Sequence, residues 1–157
     1  MFMLQWIGKK YPDNRKFQAL NNNMGELNKN VFPDTIQLED LGIIKGTRKF
    51  RLLKDFRCFY KGKLTTVQKG FITDGISAPK FAWPIIGPYG PAFPAALIHD
   101  WCFSPFNKEY SWKDTNWLFL ELMKEAGVGF VMRWTIYSAV VVGSYPLWLK
   151  RIESYGN

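Results

Sequence analysis

Hydrophobic and polar positions change rhythm near the middle of the chain. Between about residues 31 and 73 the period is short. Thr35-Ile36-Gln37-Leu38 alternates, and Phe50-Arg51-Leu52, Phe56-Arg57-Cys58-Phe59-Tyr60 and Leu64-Thr65-Thr66-Val67 are rich in aromatic and β-branched residues, as half-buried strands are. Lys61-Gly62-Lys63 suits a hairpin turn between the last two. Gly70-Phe71-Ile72-Thr73 continues as a short extended piece. Residues 74–94 carry Pro79, Pro84, Pro88, Pro91 and Pro94 together with Gly75, Gly87 and Gly90. They predict a long rigid loop, because each proline fixes φ and removes a donor. Loops of that length in small domains usually serve function or an interface.

Beyond the loop the period lengthens. Pro94 suits the first turn of a helix reaching about Phe103. Ser111 and Asp114 form an N-terminal capping pattern, and Gly127 closes the apolar-periodic stretch over 112–126. Residues 129–149 are strongly apolar and about as long as a bilayer span, which needs roughly 20 residues. Arg133, Gly143 and Pro146 interrupt them, so the segment reads as a buried or interfacial helix. Strands first and helices afterwards predict an α+β fold, with one domain over 31–157. Residues 1–30, with Asn21-Asn22-Asn23, read as an N-terminal arm or loop.

With 157 residues, 47% hydrophobic and 17% aromatic, the chain can bury a real core, which excludes wholesale disorder. Its net charge of +8 favours anionic partners such as a bilayer surface, an acidic protein face or nucleic acid. The basic residues are dispersed as Lys9-Lys10, Arg48-Lys49, Arg51 and Lys150-Arg151. No nucleic-acid recognition motif accompanies them, which makes nucleic acid the weaker choice. Cys58 and Cys102 are too few for a disulfide framework and form no CxxC, so either a single bridge or, as preferred, two reduced half-buried thiols and synthesis in a cytoplasm are expected. The N-terminus MFMLQWIGKK lacks the charged start and cleavage site of a secretory signal.

Candidate chemistry gathers around the single histidine, His99. On a helix it shares a face with Ala95, Ala96, Cys102 and Phe103. That small, apolar face turns the imidazole inward, where its nitrogens need a partner. Asn116 or Asp114 of the next helix could supply one. Asp100 lies about 100° further round and would look toward the proline-rich loop, which Asp74-Gly75 opens. Two carboxylates with bare backbone carbonyls suit a hard cation, preferably Ca²⁺. An imidazole beside them could deprotonate water for ester hydrolysis. The plainer reading is a satisfied core histidine, a turn at Asp74-Gly75 and a helix-start carboxylate at Asp114.

The stretch from about Phe50 to Trp148 resembles the phage and prophage family known as domain of unknown function 1353. It does so through Lys69-Gly70-Phe71-Ile72-Thr73-Asp74-Gly75-Ile76-Ser77-Ala78-Pro79, then Ala96-Leu97-Ile98-His99-Asp100, then Ser111 to Met123. The resemblance implies phage origin. The order of Asp-Gly, proline/glycine loop and His-Asp is also similar to bacterial and parvoviral phospholipases A2. That likeness implies calcium ligands at Asp74, Asp100 and carbonyls near Gly75, with His99 the general base. Two positions depart. Trp112 replaces the family's Arg, and Asn116 stands where an Asp orients the histidine. An Asn can hold the ring but cannot stabilise an imidazolium as a carboxylate does, and it can favour the wrong tautomer.

These features set three expectations. The first is a virion component (tail, baseplate or connector) that assembles with other phage structural proteins as a homo- or hetero-oligomer and keeps a degenerate phospholipase-like site. The second is a Ca²⁺-dependent phospholipid or ester hydrolase acting at the host envelope. The third is an intracellular effector binding a host protein or nucleic acid.

Overall fold

In a computed structural model of the chain, the described residues are 30–74, 90–104 and 109–155, with side chains described through 149. The expected N-terminal arm and most of the proline-rich loop, with Gly75, lie outside them. Five strands come first: β1 (Leu38–Ile44), β2 (Thr47–Leu52), β3 (Phe56–Tyr60), β4 (Lys63–Val67) and β5 (Ile72–Thr73). Three helices follow: α1 (Phe93–Phe103), α2 (Trp112–Glu125) and α3 (Phe130–Tyr155). The fold is α+β, as the change of period indicated.

The strands form two antiparallel sheets, one ordered β1-β2-β5 and the other pairing β3 with β4. Both long hairpins turn on Lys-Gly. Lys61 and Gly62 have φ of 47° and 77°, and Lys45 and Gly46 have φ of 51° and 80°. Two successive positive φ values twist a two-residue turn to match its strands, and glycine adopts one of them without strain. The first hairpin is the expected one. The second corrects the strand expected at 35–38: the ladder runs from Leu38 to Ile44 instead. Glu39 pairs with Arg51 at 3.0 Å and Asp40 with Arg48 at 2.7 Å across β1 and β2. β5 closes the sheet through Phe50 opposite Thr73. One step further along that register places Lys49 opposite Asp74.

α1 is the central element. Ala95, Ala96, Leu97, Ile98 and Cys102 are all buried, so the helix is covered on nearly every side. They share a core with Leu52, Phe56, Cys58 and Val67 from the strands and with Phe119, Leu122, Met123 and Ile136 from the other helices. Cys58 and Cys102 are both buried within it and form no disulfide. Burial pushes the Cys58 thiol up to about 12. α2 starts where the capping pattern indicated: the Ser111 hydroxyl accepts from the Asp114 amide at 3.1 Å. It ends at Gly127, φ 79°, with the Val128 amide donating back to the Met123 carbonyl at 2.9 Å, a left-handed closure. α3 runs six residues past the expected end at 149 and carries Pro146 inside it. No helix among the described residues is long and apolar enough to cross a membrane.

Candidate active site

One face of α1 meets β5, α2 and α3 around a cleft of about 610 Å³. Its walls are mostly apolar, with Phe71, Phe103, Phe119, Val140 and Leu147 among them. The polar groups in it are Lys49, Thr73, Asp74, His99, Asp100, Ser104 and Ser144. His99 is buried at 9% exposure. Phe103 stacks on its ring at 5.1 Å and Phe119 tilts against it at 5.0 Å, which fixes the imidazole plane.

A hydrogen-bond chain fixes its tautomer. Asn116, fully buried at 1% exposure, donates from Nδ2 to the Trp112 carbonyl at 2.8 Å. A carbonyl can only accept, so the amide nitrogen must face it. That leaves Oδ1 toward His99 Nε2, 3.1 Å away. An amide oxygen also only accepts, so Nε2 carries the proton. In the neutral ring Nδ1 therefore keeps its lone pair. Ser144 braces the amide from α3: its hydroxyl reaches Asn116 Oδ1 at 3.5 Å and takes the Trp112 indole N–H at 3.1 Å. Asn116 therefore holds the ring with Nε2 protonated and Nδ1 unprotonated. Trp112, the other departure from the family pattern, supplies both the carbonyl and the indole that hold this arrangement.

The second nitrogen looks toward carboxylates. His99 Nδ1 lies 3.9 Å from Asp100 Oδ1, too long for a direct hydrogen bond but close enough for strong electrostatic coupling. Asp100 Oδ2 accepts a short hydrogen bond from the Thr73 hydroxyl. Burial raises the Asp100 carboxyl above the ordinary carboxylate range. The neighbouring His99 opposes that rise, the Asp74 charge adds to it, and the Thr73 bond opposes it. Asp74 is partly balanced by Lys49, whose ammonium is 3.3 Å from its Oδ2. The turn ahead of the loop and the histidine-bearing helix therefore do come together.

Of the residues named from sequence, His99, Asp100, Asn116 and Asp74 meet here. Asp114 does not. It is exposed at the start of α2, bonded to the Ser111 hydroxyl at 2.6 Å, and it lines a different depression beside Tyr60 and Trp117. Its helix-start role consumes the carboxylate, and two positions along a helix turn it about 200° from Asn116. Lys49, Thr73 and Ser144 were not anticipated. Only Thr73 left a local signal, as the immediate neighbour of Asp74.

Two carboxylates and a hydroxyl make an all-oxygen donor set, the kind that suits Ca²⁺. A cation there would relieve the unfavourable charge of Asp100. Among the described residues no group of three or more His, Cys, Asp or Glu side chains is placed to hold a metal. Remaining oxygens would have to be backbone carbonyls or water, both usual for this ion.

A family model described as Protein of unknown function (DUF1353) matches residues 50–140. The chain belongs to the DUF1353 family. The DUF1353 match covers Thr73, Asp74, His99, Asp100 and Asn116, while Lys49 and Ser144 fall outside it. It stops within α3, short of the Trp148 boundary expected from sequence. No curated protein and no solved structure matches the chain.

Proposed function

We propose that this DUF1353 protein is an ester hydrolase acting on an amphiphilic, phospholipid-like substrate, with His99 as general base. The observation that carries the reading is the divided imidazole: Asn116 holds Nε2–H while the Nδ1 lone pair faces the cleft and Asp100. In this reading Nδ1 takes the proton from a water that attacks the ester carbonyl. The resulting imidazolium lies beside Asp100, which stabilises its charge. When the tetrahedral adduct collapses, the C–O bond breaks and the imidazolium returns its proton to the leaving alcohol. Phe71, Phe103 and Val140 would line the acyl chain and exclude bulk water. Asp74 and Asp100 would hold Ca²⁺, which when bound supplies positive charge for the oxyanion.

The test is fatty-acid release from phosphatidylcholine/phosphatidylglycerol vesicles in calcium and in EGTA. Calcium-dependent release that falls by about 10²–10⁴ in His99→Ala, the usual worth of a general base, is expected. Equal release by the variant, or none by the native chain, overturns the proposal. A second reading, a structural component of a phage particle, draws on the exposed uncharged face of α3. Mass spectrometry of purified particles tests it, and absence of the chain from them counts against it.

A further inference from the structure

Between residues 130 and 149, α3 contains one charged residue, Arg133. Its guanidinium donates to the Val128 carbonyl at 3.2 Å and sits over the Phe130 ring, off the outward side. That outward side presents Val131, Trp134, Val142, Tyr145 and Leu149. These residues recur at helical spacing, and Val131 and Val142 are 77% and 76% exposed. Thr135 and Ser138 complete the stripe, but neither asks for water. Their hydroxyls donate to the Val131 and Trp134 carbonyls of their own helix, each at 2.9 Å. The result is an exposed strip with no charge, in which the Thr135 and Ser138 hydroxyls are already satisfied.

We infer that this strip is a docking surface for an anionic lipid bilayer, on which α3 lies flat. It is about 30 Å long and 10 Å wide, or roughly 300 Å², well under the ~800 Å² per partner that a stable dimer buries. Two copies would also bring +8 against +8. An anionic bilayer instead complements that charge, and the helix continues through Lys150 and Arg151 at one end of the strip. Trp134 and Tyr145 have the apolar body and polar tip suited to the headgroup boundary. The cleft is lined by Val140, Gly143 and Leu147, which lie round the far side of the same helix, so the strip can rest on a bilayer without covering the cleft. The surface rests on the ester-hydrolase reading for its purpose, not for its existence.

The full chain is tested by cosedimentation with vesicles of phosphatidylcholine alone and of phosphatidylcholine with phosphatidylglycerol, alongside light scattering for oligomeric state. The native chain is expected to partition onto the anionic vesicles with a blue shift of tryptophan emission. The double variant Val131→Glu/Val142→Glu should lose at least about tenfold in partitioning. It should keep its melting temperature, because both sites are exposed, and keep its rate on a soluble short-chain ester. His99→Ala should bind vesicles as the native chain does even if no hydrolysis is ever found, which separates the two proposals. Equal partitioning by native chain and double variant overturns the surface. So does a solution dimer that the double variant dissolves.

Discussion

Removing the Asn116 side chain tests the anchoring of the imidazole most directly. In Asn116→Ala, His99 Nε2–H loses its acceptor at 3.1 Å and the Trp112 carbonyl loses its side-chain donor at 2.8 Å. Ser144 loses a weaker contact at 3.5 Å. The largest cost is the buried imidazole N–H left unpaired, about 1–3 kcal/mol. The space vacated by a fully buried side chain adds to it. A total of about 2–4 kcal/mol would lower the melting temperature by about 5–15 °C for a chain of this size. The chain has one histidine, so a ¹⁵N-histidine spectrum contains a single ring and reads its tautomer without assignment. In its neutral form the native ring should show a protonated Nε2 and an unprotonated Nδ1. Asn116→Ala should lose that preference. Asn116→Asp keeps an acceptor for Nε2 but sets a carboxylate oxygen against the Trp112 carbonyl. It should keep the tautomer and still lose stability. A native ring protonated at Nδ1, or an alanine variant with unchanged melting and tautomer, would refute the reasoning.

Two further outcomes follow from buried titratable groups. Burial, with the Asp74 charge adding to it, holds Asp100 above its ordinary value of 3.8. The folded chain then binds that proton more tightly than the unfolded one, so stability falls as pH rises from about 3.8 through the folded value. Asp100→Asn should therefore be more stable than the native chain at pH 7 in EGTA, with the gap closing below about pH 4 in thermal melts. A gap that widens at low pH contradicts the sign. The Cys58 thiol, pushed up to about 12, and the buried Cys102 should resist a disulfide reagent at pH 8. Both should react once guanidinium unfolds the chain, and fast native reaction would contradict their placement.

Much of this arrangement could be read before any coordinates, because it depends on local rules. The Lys61-Gly62 turn, the Ser111 cap and the Gly127 stop each need only residues within a few positions. Helical spacing turned His99 inward and offered Asn116 or Asp114 as its partner, and the packing of α2 selects Asn116. The failures are non-local. β1 reads poorly by alternation, since Glu39-Asp40 and Gly42 interrupt it, and its pairing with β2 brings Arg51 opposite Glu39 and Arg48 within reach of Asp40. Lys49 enters the cleft through the β2–β5 register, which periodicity does not specify. Ser144 joins Asn116 only once the packing side of α3 is known, and that helix is apolar on more than one side. Its overrun to Tyr155 was missed because the segment was bounded by its apolar run, which ends at Leu149, and the helix continues through Pro146 into the charged residues beyond.

The same network bears on whether an amide at position 116 weakens the site. A carboxylate there would stabilise the imidazolium from the Nε2 side. Here the negative charge stands on the Nδ1 side, at Asp100, 3.9 Å from the nitrogen that would take the proton. A second carboxylate behind the ring would be fully buried beside an Asp100 whose own charge is already disfavoured by burial and by Asp74. It would bring a desolvation penalty that only a permanently charged ring could offset. A neutral amide avoids that penalty, fixes the tautomer through the Trp112 carbonyl, and leaves the ring free to take a proton and return it. Under the proposed mechanism Asn116 would reflect division of labour rather than decay: orientation on one nitrogen, charge on the other. The two accounts separate in Asn116→Asp. If decay were right, restoring the carboxylate should raise ester hydrolysis. If labour is divided, it should leave the rate unchanged or lower it while the tautomer persists.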